Sequence, residues 1–323
     1  RASVMATILI FGNLIGKKTD FLNSLGLAAI LILAVNPKTL FDVGFQLSFL
    51  AVAGLALFVP VFMPKKELFP NEKLTMKEKA SLYTAELFWV SFVATFVTLP
   101  VTVQNFYLVT PLSLLANMIA VPLSFFLFFC SLVYFLTFWW VPKIVYFVPW
   151  ILKSLMQIFI ACLSWIGQLP FSCVTVGKLS APLEILLIAG ILYFFFSKKI
   201  KSRSIRALLI FIFSLNIFLL HDALRHGDRP FTMTALDVGQ GDAIYFEFPQ
   251  GGNLLIDAGK GEPQDKGRRV VVPYLRSKGI RSIDAMVVSH PQADHIGGMS
   301  SVLEEFSVKN VFAMISFSFF LLS

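Results

Sequence analysis

Ser289-His290-Pro291-Gln292-Ala293-Asp294-His295-Ile296-Gly297-Gly298 places two His and one Asp within a single short segment, directly after the apolar run Ile283–Val288. Imidazole and carboxylate are the side chains that hold divalent metals of the zinc and manganese type. A buried strand that ends in such residues presents them at the C-terminal edge of a sheet, where α/β domains place their ligands. The stretch therefore predicts an α/β domain with a metal-binding loop. Taken without its neighbours, it would read instead as a polar surface loop.

The residues before it supply the neighbours. Phe231–Val238 alternates like a strand, Gly239-Gln240-Gly241 reads as a turn, and Ala243–Phe248 reads as a second strand. Pro249–Gly252 reads as a hairpin turn, and Asn253–Ile256 as a third strand ending in Asp257-Ala258-Gly259. Val270–Ser277 predicts a helix stopped by Gly279. Lys266, Arg268, Arg269, Arg276, Lys278 and Arg281 form a basic strip without an acid among them. It is either a solvated helix face or a phosphate-contacting surface, with Arg268, Arg269, Arg276 and Lys278 as the contacts.

The rest of the chain has a different chemistry. Of 323 residues, 57% are hydrophobic and only 14% are charged, against about 25% in an ordinary soluble domain. Thirty-five Phe exceed what one aqueous core would take, so most of the chain reads as multi-pass membrane protein. The formal net charge of +8 is unevenly held: residues 1–221 carry 17 Lys and Arg against 7 Asp and Glu. Such an excess is the habit of cytoplasmic loops rather than a nucleic-acid footprint. Cys130, Cys162 and Cys173 are odd in number and lack any CxxC, which excludes a disulfide framework. The sequence begins at Arg1 without a leader pattern and reads as a piece of a longer protein.

Apolar runs predict about eight spans: Ala2–Gly16, Phe21–Val35, Phe45–Met63, Ser81–Val103, Leu112–Phe138, Phe147–Gln168, Leu183–Ser197 and Ala207–His221. Lys198–Arg206 is the most basic loop and is placed in the cytoplasm. Alternation then puts the loops holding Lys17 and Lys18, Lys65 to Lys79, and Lys143 on the same side, leaving only Arg1, Lys38 and Lys178 opposite. Everything after His221 falls outside the cytoplasm. Within the spans, Glu86 marks either a water-filled interior or the inner membrane surface, because a carboxylate in hydrocarbon costs on the order of 3 kcal/mol. Gln46 and Asn117 read as helix-to-helix contacts or as polar lining of a path. Pro122 is expected to break its helix.

Two stretches carry a resemblance: Asn36-Pro37 with Phe41-Asp42-Val43-Gly44-Phe45-Gln46-Leu47-Ser48-Phe49-Leu50, and Thr110-Pro111 through Asn117 to Pro122. With Arg1-Ala2 and Met5 ahead of them, they resemble the membrane domain of the ComEC family, the DNA-uptake channels of naturally transformable bacteria. The resemblance covers about residues 1–220 and implies a channel in the cytoplasmic (inner) membrane that passes one DNA strand. Membrane lipid, the competence uptake machinery and a second copy of the chain are the partners it implies.

Leu236-Asp237-Val238-Gly239-Gln240-Gly241-Asp242-Ala243, Leu255-Ile256-Asp257-Ala258-Gly259 and the His290 loop together resemble the start of a metallo-β-lactamase fold, in the Gly-Gln-Gly-Asp form attached to ComEC membrane domains. The resemblance implies one or two divalent metals, Zn or Mn, and hydrolysis of DNA phosphodiesters. His290, Asp294 and His295 would be metal ligands, with Asp294 also catalytic through the water it holds. Asp257 and, less directly, Asp242 would orient them. Gln292 stands where the motif has its second His, and the downstream His and Asp of the fold have no counterpart in this sequence.

The expected organisation is a polytopic all-α membrane domain over residues 1–221, then a truncated α/β metallo-β-lactamase-like domain over 222–312. An apolar tail over 313–323 reads as out of frame. The alternatives to DNA translocation with nuclease activity are a membrane-anchored metallohydrolase of another substrate and an inactive fragment.

Overall fold

The structure is a computed structural model that describes residues 7, 21–63, 75–137, 144–197, 200–225, 230–249 and 251–313. The chain divides into two compact units: residues 1–102, 109–174 and 187–212 form the first, and residues 103–108, 175–186 and 213–323 the second.

The first unit is helical. Its elements are α1 (Phe21–Val35), a 3₁₀ turn (Pro37–Phe41), α2 (Val43–Phe62), most of α3 (Met76–Phe106), α4 (Ser113–Thr137) and α5 (Ile144–Gln168). Parts of α6 (Ala181–Phe196) and α7 (Arg203–Arg225) complete it. Asp42 caps α2 by accepting from the Phe45 N–H at 3.2 Å. Gly54 lets α2 close on α3, because a Cβ there would lie 2.8 Å from a Val97 methyl. Phe62 stacks on Trp89 at 4.7 Å and Phe58 on Phe195 at 4.2 Å, joining α2, α3 and α6 through aromatic faces. Arg203 donates to the Phe62 carbonyl at 3.2 Å, and Arg206 to that of Phe195 at 2.6 Å, so cations meet the C-terminal ends of α2 and α6.

Five described helices are long and apolar enough to cross a membrane: Val43–Phe62, Met76–Phe106, Ser113–Thr137, Phe147–Gln168 and Arg203–Leu224. They coincide with five of the spans expected from the sequence. The expected spans Phe21–Val35 and Leu183–Ser197 correspond to α1 and α6, of 15 and 16 residues. At about 1.5 Å per residue these reach short of the ~30 Å hydrocarbon layer. The expected span Ala2–Gly16 lies outside the described residues apart from Thr7. Pro122 does not break its helix: α4 continues through it, as apolar helices in a bilayer tolerate. Phe125, Phe128 and Phe135 on α4 and Trp150 and Trp165 on α5 are exposed, a surface suited to lipid and poorly suited to water. With the basic loops and the apolar helices taken together, this is a multi-pass membrane protein.

The second unit holds a five-stranded sheet in the order β3-β4-β5-β6-β7, after the two-residue strands β1 (Leu108–Val109) and β2 (Val174–Thr175). β3 (Thr232–Ala235), β4 (Ile244–Glu247) and β5 (Asn253–Ile256) are antiparallel, while β6 (Ser282–Val288) and β7 (Ser307–Ala313) continue parallel to β5. The crossover from β5 to β6 carries a π-helical turn (Gly267–Val271) and α8 (Val272–Ser277). That from β6 to β7 carries α9 (Ala293–Ile296) and α10 (Met299–Glu305). Tyr245, Leu255 and Met286 are cross-strand neighbours in register and fully buried, against Leu275 of α8 and Val302 of α10. Tyr274 of α8 fastens the edge, donating from its hydroxyl to Thr234 Oγ1 at 3.0 Å.

The N-terminal end of β6 is tied to the end of α7 by Arg281 and Asp222, 3.4 Å apart. The Lys178 N–H donates to the Ser277 carbonyl beside it at 2.8 Å. The expected apolar tail lies outside the described residues beyond Ala313.

Candidate metal centre

β5 and β6 run parallel with Ile256 opposite Val287, so their C-terminal ends lie side by side. Asp257 is the first residue past β5, and Ser289-His290 the first past β6. One turn of α9 then returns the chain, and the Ala258 N–H donates to the His295 carbonyl at 3.0 Å. Three groups distant in sequence thereby converge. One ligand atom each from Asp257, His290 and His295 lies within 4.8 Å of the others.

Asp257 organises the convergence. Its backbone is left-handed, with φ 55°, a conformation that costs most residues roughly 1–2 kcal/mol and that Asp and Asn adopt most readily. Its Oδ1 accepts from the Ser289 N–H at 2.9 Å, and its Oδ2 accepts from the Ser289 hydroxyl and from His295 Nδ1–H at 2.9 Å. An ionised carboxylate only accepts, which assigns these protons to Ser289 and His295. His290 Nδ1 lies 2.9 Å from Ser289 Oγ and its Nε2 lies 3.2 Å from Gln292 Oε1, so this ring is held at both nitrogens. His295, donating from Nδ1, keeps the Nε2 lone pair free. The two rings lie 3.8 Å apart between centroids.

The remaining expected residues fall as follows. Asp294 is half-buried on α9 and is not one of the three converging groups. Asp242 is exposed, with Oδ2 3.7 Å from His295 Nδ1. Gln292 Oε1 sits 3.2 Å from His290 Nε2. Gly241, at φ 96°, brings the turn after β3 against the His loop, because a Cβ there would fall 1.8 Å from the Asp294 carbonyl oxygen. The basic strip is largely neutralised. Arg268 pairs with Glu304 at 3.0 Å, Arg276 with Glu305, Lys278 with Glu247 at 2.9 Å and Arg281 with Asp222. Burial alone would lower the Lys278 pKa, but the hydrogen bond and charge of Glu247 outweigh it and hold the ammonium above its ordinary value. Arg269 makes no ion pair among the described residues. On the membrane helices, Gln46 donates to the Leu40 carbonyl at 3.1 Å, Glu86 is exposed on α3 and Asn117 is half-buried on α4.

Two imidazoles and a carboxylate converging in this way form a donor set of the kind that holds a divalent metal. Sequence reasoning did not single out Ser289, which links Asp257 to His290. Its position directly after an apolar strand and before the first His was the available signal.

Residues 1–201 match the family described as competence protein, and residues 236–312 match the metallo-beta-lactamase superfamily. The chain belongs to the competence protein family. It is also similar to ComE operon protein 3 of Bacillus subtilis (strain 168), with 28% identity over 343 aligned positions that cover 96% of this chain and 40% of that protein. The chain thus spans about two fifths of the length of that relative. No solved structure matches it.

Proposed function

We propose that this protein takes part in DNA uptake, passing a single strand across the cytoplasmic membrane through its helical region. Its sheet domain stands on the non-cytoplasmic side and hydrolyses phosphodiesters of the strand that is not imported. The observation that carries this reading is the union, in one chain, of a competence-family helical region with an Asp257–His290–His295 donor set at the strand ends of a metallo-β-lactamase-like sheet. The basic residues Lys198 to Arg206 support the orientation.

When bound, a divalent metal supplies Lewis-acid activation of water. The residues of the chain do the rest. His290, His295 and Asp257 would hold the metal, Asp257 orients His295 directly and Ser289 beside His290, and we assign Asp294 the role of holding a water at the rim. Glu86, Gln46 and Asn117 are the polar groups we assign to the path through the helices.

The test is transformation. Deleting the locus should abolish uptake of labelled DNA, and unchanged uptake would end the reading. Complementation with His290→Ala separates the two halves of the proposal. Retained strand entry without degradation of the second strand supports a hydrolytic sheet domain. Retained degradation refutes it.

A further inference from the structure

We propose that Lys266, flanked by Lys260 and Arg269, is the contact that holds a phosphate of the nucleic-acid backbone at the rim of the candidate metal centre. The inference rests on the DNA reading above and names the group that engages the polyanion.

Pairing within the domain separates the basic residues into two sets. Arg268, Arg276, Lys278 and Arg281 are matched by Glu304, Glu305, Glu247 and Asp222. Lys260, Lys266 and Arg269 have no ion pair among the described residues. The first set serves the fold, and three of its four members are those the sequence put forward as phosphate contacts. The second set has no such role.

Lys266 is also the member whose position is fixed. Its Cβ lies 3.1 Å from the point a Cβ would occupy on Gly259, and its Nζ lies 3.9 Å from the corresponding point on Gly239. The side chain therefore runs from one turn to the other. Gly259 is two residues past Asp257, and Gly239 is three residues before Asp242. The Gly259 N–H donates to the Asp242 carbonyl at 2.9 Å, so the two turns are themselves bonded. The Lys266 N–H donates to the Lys260 carbonyl at 2.8 Å, bringing the backbone of Lys260 to the same loop. Half-buried and held along its stem, Lys266 loses little side-chain freedom when it binds an anion.

The charge balance of the site calls for such a group. Asp242 and Asp257 flank His295, at 3.7 and 2.9 Å from its Nδ1, and their negative field repels a phosphodiester. A fixed ammonium at the rim offsets it where the strand arrives. Cations spread over Lys260, Lys266 and Arg269 suit an extended polyanion better than a compact substrate.

The test uses the full chain in nanodiscs of phosphatidylcholine, with chelator present to prevent cleavage, and a fluorescent oligothymidylate as probe. Anisotropy titrations over a range of salt give affinity and salt slope. Lys266→Ala should weaken binding on the order of 10-fold and reduce the log–log salt slope by about 0.7, one phosphate on a single strand. Lys266→Arg should retain wild-type binding. Lys309→Gln, which removes a cation from the opposite end of the strands, should change affinity less than about twofold. Lys266→Gln repeats the loss with a longer polar side chain if the alanine variant unfolds. Wild-type affinity and slope in both neutral variants overturn the inference and leave DNA uptake untouched. A wild-type chain that binds no oligonucleotide overturns both.

Discussion

His295 Nδ1 donates to Asp257 Oδ2 at 2.9 Å, across 38 residues of chain, with both side chains almost wholly excluded from solvent. The bond ties the return turn of the His loop to the end of the neighbouring strand and leaves His295 Nε2 as the outward donor. A partner of this kind commonly sets the affinity of a metal site.

Asp257→Asn should therefore lower divalent-metal affinity by about 10- to 100-fold while leaving the fold largely intact, since Asn also tolerates the left-handed backbone at this position. Calorimetric titration of Zn and Mn into the full chain in detergent measures it. Affinity equal to wild type would mean that His295 needs no help from Asp257.

Gln292 Oε1 lies 3.2 Å from His290 Nε2, the ring nitrogen turned away from Ser289. Gln292→Ala should free Nε2 and tighten metal binding several-fold. Gln292→His should tighten it on the order of 10-fold or more by adding an imidazole at the same place. Weaker binding in both variants would show that the amide is itself part of the donor set.

Gly241→Ala sets a methyl group against the Asp294 carbonyl in a backbone region that disfavours side chains. We expect a cost on the order of 3 kcal/mol or more, expressed as separation of the turn after β3 from the His loop. Limited proteolysis should then cut between residues 236 and 243 faster than in wild type. Unchanged cleavage would mean that the two loops are not in contact.

Two ion pairs give the sheet domain opposite pH limits. The hydrogen bond from Lys309, with a lesser contribution from the Asn253 N–H, holds Asp284 below the usual carboxylate range despite some burial. Its stabilisation is complete above the unfolded pKa of about 3.9 and is lost as pH falls through the lower folded value. Lys278 is raised, so its contribution is complete below about 10.4 and is lost as pH rises through the higher folded value. Lys309→Ala should flatten the acid limb of an unfolding profile, and Glu247→Gln the alkaline one. Profiles that stay parallel to wild type would remove these pairs from the account.

The strands were the most legible part of the sheet domain. Asn253–Ile256 emerged with its expected limits because turn residues bound it on both sides. The first strand came out shorter than Phe231–Val238. Asp237 accepts from the Gly239 N–H at 3.2 Å and Val238 N–H bonds back to Leu236, which curls the end of the run out of the ladder. The helix expected at Val270 begins instead with a wide turn at Gly267, outside the 3.6-residue pattern. At the site, residue type and spacing pointed to His290 and His295 and the family resemblance to Asp257; these three converge, whereas Asp294, expected among the ligands, is not in the group. The Ser289 bridge, the Gln292 contact and the position of Lys266 depend on loop conformation, which no periodicity encodes. Among the helices, apolar length marked the spans well where the run was long. It did less well at α1 and α6, whose hydrogen-bonded lengths are shorter than a bilayer.

Arg281 meets Asp222 at the start of β6, and His290 follows its end. Seven strand residues separate them, a run of about 23 Å at 3.3 Å per residue. β6 is in effect a ruler, anchored on α7 at its zero mark and carrying the chemistry at the other. On the proposed function, a nucleic-acid strand held at the candidate metal centre would lie at that distance from the end of α7, equal to about seven nucleotides at the 3.4 Å spacing of a duplex strand. A cut at that centre would then leave an end of fixed minimum length between the break and the helix. Lengthening β6 by two residues, which preserves the alternation of its faces, should lengthen that end in step.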